Sequence, residues 1–150
     1  MKEYHDLNHM ELVPQNELHN EAASYIPHHG VLKSDGSGKL RVVFNASQRS
    51  KSCNSVNNYL FKGPKLQSEL AGVLTSWRFF RYVFTDDIVK IFRQFKIHPD
   101  NCDWQRILWR PSSDLPIETY RLRTVTYGTA PAPYLAIRCL QQLATDEQHR

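Results

Sequence analysis

Residues 81–98 read RYVFTDDIVKIFRQFKIH, and their reading decides the fold. Arg81–Thr85 is a β-branched and aromatic run, which reads as a strand. It leads into Asp86-Asp87, a short turn around Ile88–Phe92 and a second extended piece at Phe95–His98. A carboxylate at a strand end that then turns can hold Mg²⁺, a hard cation that takes oxygen ligands. Taken alone, the pair reads more readily as an ordinary turn start. Adjacent strand residues point to opposite faces, so at most one of the two joins a given site. Alternation does not say which.

Outward from this stretch the pattern alternates between hairpins and helices. Pro27 disfavours helix at Ile26, so Tyr25–Lys33 opens an extended segment. SDGSGK (34–39) is a turn and LRVVFNAS (40–47) a strand, which together make a β-hairpin. After Gly63-Pro64, apolar residues at 66, 70, 73, 74 and 77 mark an amphipathic helix over 64–77. Trp104–Arg110 and Ile117–Thr126 form a second hairpin around the turn PSSDLP. Leu135, Ala136, Cys139, Leu140 and Leu143 fall in helical register, so a helix is predicted over 131–146. Residues 1–26 read as a lead-in, with Tyr4, Leu7, Met10 and Leu12 at loosely helical spacing and a polar loop after residue 13. The string predicts an α+β chain with mostly antiparallel pairing.

Composition narrows the classes. Hydrophobic residues make up 41% and charged residues 23% of 150, so a core can form and wholesale disorder is excluded. No apolar run approaches a membrane span, and Met1–Met10 lacks the apolar segment of a secretory signal. Cys53, Cys102 and Cys139 are odd in number and far apart, which excludes a disulfide scaffold and a Cys-x-x-Cys zinc site. They suit an intracellular, cytoplasmic setting. Charge is uneven. Residues 1–26 carry one cation against five carboxylates (−4), and the remainder carries 18 against 10 (+8). A basic body is compatible with a polyanionic partner such as nucleic acid, and equally with an ordinary soluble surface.

Two further constellations stand out. Lys33 and Arg41, read as facing each other across the first hairpin, could embrace a triphosphate. An exposed pair on a solvated ribbon is the plain alternative. Tyr127-Gly128 precedes the last helix, where glycine allows close approach and the helix start favours negative charge. An ordinary helix start is the simpler reading of that segment. His28-His29 have no nearby metal-ligating partner in the sequence, and Trp77, Trp104 and Trp109 read as core.

In this order, the blocks YIPHHGVLK–SDGSGK–LRVVFNAS, GPKLQ, FTDDIVKIFRQFKIHPDNCDWQRILWR and YRLRTVTYGTAPAPYLAIRCLQQLA closely resemble the reverse transcriptases of Pao/BEL-type LTR retrotransposons. The resemblance covers nearly the whole chain. It implies part of a right-hand polymerase, with a fingers hairpin at 27–47, a fingers helix at 64–77, the first palm strand at 81–87, a hairpin at 104–126 and a palm helix at 131–146. Asp87 resembles the metal-binding Asp of the motif Asp-hydrophobic-x-x-x-aromatic-x-Gln, here Asp87 through Gln94. Phe92 resembles the aromatic gate that selects deoxynucleotides, and Ile88 would lend backbone to the triphosphate. Arg41 and Lys33 resemble phosphate-gripping residues of the fingers, and Tyr127 and Gly128 would line the nucleotide pocket. Gln94, Pro133 and Tyr134 would help place template and primer.

The implied cofactor is Mg²⁺, and the implied partners are a dNTP, an RNA or DNA template with primer, and the rest of a retroelement polyprotein. The family's second acidic block, aromatic-x-Asp-Asp, does not occur in these 150 residues. The chain therefore reads as a fragment of an RNA-directed DNA polymerase, inactive by itself. A non-catalytic nucleic-acid-binding remnant and a non-functional relic are the alternatives.

Overall fold

The structure is a computed structural model and describes residues 1–32, 34, 36 and 38–148. It is a small mixed α/β arrangement of antiparallel sheets and helices. The helices are α1 (Lys2–Asp6), α2 (Val56–Tyr59), α3 (Leu70–Trp77) and α4 (Ala132–Glu147). The strands are β1 (Met10–Leu12), β2 (His28–Leu32), β3 (Leu40–Phe44), β4 (Arg106–Trp109) and β5 (Glu118–Leu122). A three-stranded sheet runs in the order β1-β5-β4, and β2 and β3 form a separate two-stranded ribbon.

Both hairpins occur where the alternating apolar pattern and turn residues call for them. In the first, Arg41 stands opposite Val31, not opposite Lys33 as read from the sequence. Lys33 itself lies outside the described residues. In the second, Ile107 pairs with Tyr120 and Arg106 with Arg121. The extended piece after Phe95 joins the sheet as a short bridge, Lys96 to Thr124. The last helix forms at Ala132–Glu147, but of its expected apolar face only Ala136 is buried, while Cys139 and Leu143 face solvent.

The N-terminal segment departs from its reading as a lead-in. Lys2–Asp6 is α-helical, Gln15–Glu17 makes a single 3₁₀ turn, and Met10–Leu12 pairs along β5. Tyr4, Met10 and Ile26 enter one core with Phe44, Ile107 and Leu122. Burying each of the larger aliphatic side chains contributes about 1.5–3 kcal/mol. The segment therefore supplies part of the core itself.

Two further corrections concern the middle of the chain. The helix read over 64–77 forms only at Leu70–Trp77 and buries no residue. Residues 81–85 form no strand among the described residues. A strand needs a neighbour for its N–H and C=O groups, and neither sheet offers one here. Phe79, Phe80, Tyr82 and Phe84 consequently face solvent, Phe84 at 91% exposure.

A fully buried cation ties the sheet to its flanks. The Arg106 side chain is 0% exposed and forms two bonds to the Asp103 carboxylate, from Nε at 3.0 Å and Nη2 at 2.9 Å. Its remaining donors reach the carbonyls of Leu18 (3.1 Å) and Glu17 (2.7 Å). Arg106 holds the Asp103 carboxyl below its ordinary range. Asp103→Ala leaves the guanidinium buried without its counter-charge and is expected to cost about 3 kcal/mol, read as a lower urea midpoint at unchanged slope. A carboxyl lowered in the folded state stabilises fully above its unfolded pKa, about 3.9. The wild-type chain should thus lose this contribution as pH falls through the lower folded value, whereas Asp103→Ala should lack that loss.

Candidate functional site

The chain turns sharply after the exposed stretch 81–88. Lys90 takes a left-handed backbone conformation (φ 54°) and starts a single 3₁₀ turn at Ile91–Gln94. A left-handed lysine is uncommon for a residue with a Cβ. This turn faces β3 and α1 across a cavity of about 930 Å³. Arg41, Asp87, Ile88, Phe92 and Tyr127 all line it. They come from three separate stretches of sequence and meet at one place.

Local contacts arrange these groups. The Asp87 N–H donates to Asp86 Oδ1 at 2.8 Å. Asp86 is thereby turned onto the backbone, and Asp87 is the member of the pair that lines the cavity. The Arg41 guanidinium lies 5.6 Å from the centre of the Tyr127 ring. Tyr127 packs against Phe44 with ring centroids 5.4 Å apart, and its hydroxyl donates to the Val42 carbonyl. The ribbon is thus fastened to the segment that starts α4.

The other expected site residues lie elsewhere. Gly128 does not line the cavity. It has φ +92°, and a Cβ there would sit 2.4 Å from the Phe44 carbonyl oxygen. Its requirement is close approach of two backbones. Gln94 donates to the Val89 carbonyl at 3.0 Å and closes the turn. Pro133 and Tyr134 line a separate hollow with Gly63 and Lys65, on which the Tyr134 ring packs tightly against Gly63.

Several residues at the joint carry no family-like signal in the sequence. Asn57 Nδ2 donates to the Gly128 carbonyl at 3.0 Å, and Asn57 Oδ1 accepts from the Ala130 N–H at 2.7 Å. It bridges the loop after the ribbon to the start of α4. Lys90, Arg93 and Glu3 also line the cavity. Lys90 and Arg93 follow Asp87 within six residues, and that proximity was their available signal. Glu3, more than 80 residues away, had none.

Among the described residues, no group of three or more His, Cys, Asp or Glu side chains could hold a metal. Asp87 is one exposed carboxylate on the cavity. Mg²⁺ is commonly held by one or two carboxylates together with substrate phosphates and water. The residues therefore suit one cation arriving with a phosphate ligand and do not complete a two-metal centre.

Among the described residues, no helix is long and apolar enough to cross a membrane. The chain matches no protein-family model and no curated protein.

Gly128→Ala forces a Cβ onto the Phe44 carbonyl in an unfavourable backbone region. It should destabilise by about 1–3 kcal/mol, measured by thermal or urea melting. Asn57→Ala should lower stability by about 1 kcal/mol through the lost bridge.

Proposed function

We propose that the chain is the fingers and first-palm portion of an RNA-directed DNA polymerase of the Pao/BEL retroelement type, and that its cavity receives a deoxynucleoside triphosphate. The observation that carries this reading is the meeting of Arg41, Asp87, Ile88, Phe92 and Tyr127 around one cavity. Each has a distinct task in nucleotide binding. Arg41 offers a planar fork to phosphate oxygens. Asp87 offers a carboxylate to the cation that accompanies them. Phe92 offers a flat apolar ring beneath the sugar, where a 2′-hydroxyl would meet carbon without a hydrogen-bond partner. The Tyr127 ring lies beside the Arg41 guanidinium, 5.6 Å from it, and is bonded to the Val42 carbonyl on the same strand.

Phosphoryl transfer is assisted by metal ions that neutralise charge on the attacking and leaving oxygens. Of the two cavity carboxylates, Glu3 is taken up by Lys90 and Arg93, which leaves Asp87 for a cation and supports binding more strongly than turnover by these 150 residues. The basic body (18 cations against 10 carboxylates over 27–150) supports an RNA or DNA primer–template as the second ligand.

Calorimetric titration with dATP and ATP in Mg²⁺ tests the reading. Arg41→Ala should weaken dATP binding about tenfold, Asp87→Ala should remove its Mg²⁺ dependence, and Phe92→Val should narrow the preference for dATP over ATP. Unchanged dATP affinity in both Arg41→Ala and Asp87→Ala would overturn it. Binding to an RNA–DNA hybrid should also fall steeply between about 50 and about 150 mM salt.

A further inference from the structure

The same cavity also carries an unequal charge pairing among Glu3, Lys90 and Arg93. The Glu3 carboxylate bridges two cations, with Oε1 accepting from Lys90 Nζ and Oε2 from Arg93 Nη1 at 3.3 Å. Arg93 is held rigidly. Its side chain is only 8% exposed, its guanidinium carbon lies 4.1 Å from the centre of the Tyr4 ring, and its Nε donates to His9 Nδ1 at 3.0 Å. Arg93 Nη2 is buried and has no hydrogen-bond partner among the described residues. Two cations therefore share one carboxylate, and a buried guanidinium donor is left over.

A buried donor without a partner is costly. A carboxylate presents two oxygens to this pair, whereas a phosphate group presents three and carries more charge. Glu3 is itself half exposed, on a helix of five residues. It can leave without unfolding the sheet, because Tyr4 and not Glu3 supplies the buried anchor. Leaving returns the Glu3 carboxylate to water, while Arg93 stays in place through Tyr4 and His9.

We propose that Lys90 and Arg93 form a phosphate subsite that Glu3 occupies in the unliganded chain, so that a phosphorylated ligand enters by displacing Glu3. The N-terminal helix is then an internal competitor for the cavity. The inference rests on the nucleotide reading for the carrier of that phosphate, though not for the subsite itself.

The test is calorimetric titration with inorganic tripolyphosphate, without nucleoside or metal. Glu3→Gln removes the competitor's charge and should bind about fivefold tighter than wild type, and Lys90→Met should bind about fivefold weaker. In the wild-type chain, the backbone amide signals of residues 3 and 4 should shift during the same titration, a readout that needs no variant. Equal tripolyphosphate affinity in wild type and Glu3→Gln, or no shift at residues 3 and 4, overturns the proposal. A parallel titration with dATP in Mg²⁺ separates the two readings. Tripolyphosphate and dATP binding alike, with the Glu3→Gln gain present, retains the subsite and discards the nucleotide reading. Selective dATP binding that is indifferent to Glu3 does the reverse.

Discussion

The buried pair of Arg106 and Asp103 is the constraint around which the sheet is organised. A guanidinium removed wholly from water is tolerable only if its donors are met, and here a carboxylate and two carbonyls meet them. Those carbonyls belong to Glu17 and Leu18, so the cation dictates where the N-terminal segment crosses the sheet. Arg121, Arg106's cross-strand neighbour, extends the cluster to Glu11 at 2.6 Å and Glu17 at 2.5 Å. The acidic segment 1–26 is in this way matched to the basic body. Charges that looked like separate regional biases in the sequence are thus partly paired across the fold, and a net basic excess remains on the body.

A second joint holds the ribbon to the sheet and helix. Phe44 meets Tyr4, His28 and Tyr127 in ring contacts, and its carbonyl sits against Gly128. Arg41 gains its position on the cavity through this joint. The cavity consequently depends on aromatic packing behind it as much as on the polar groups that line it. Its remaining wall comes from the turn after Lys90, whose left-handed backbone redirects the chain toward α1.

The stretch between α3 and that turn is different in kind. Leu70 on α3 is exposed, as are Phe80, Tyr82 and Phe84 beyond it. Apolar surface of this extent in one run contributes nothing to stability and favours association. The local sequence there has strand and helix preference, yet preference without a partner does not produce a strand. Lys65 and Tyr134, by contrast, share a hollow because Gly63 permits the Tyr134 ring to lie on the backbone.

Much was legible from local pattern. Both hairpins, the turn PSSDLP, the last helix and the absence of a long apolar span follow from periodicities of two and 3.6 residues and from turn chemistry, which act over a few neighbours. The Asp86-Asp87 pair and Arg41 were also visible as chemistry. What periodicity could not supply was pairing at a distance. Met10–Leu12 is a strand only because β5 offers it an edge, and Arg81–Thr85 is not one because no edge is offered. Glu3 and Asn57 acquire their roles from partners 70 to 90 residues away. The residue types and local conformations came from the sequence by itself. Which carboxylate meets which cation was decided by tertiary structure, because a buried charge selects its partner by position in space and not along the chain.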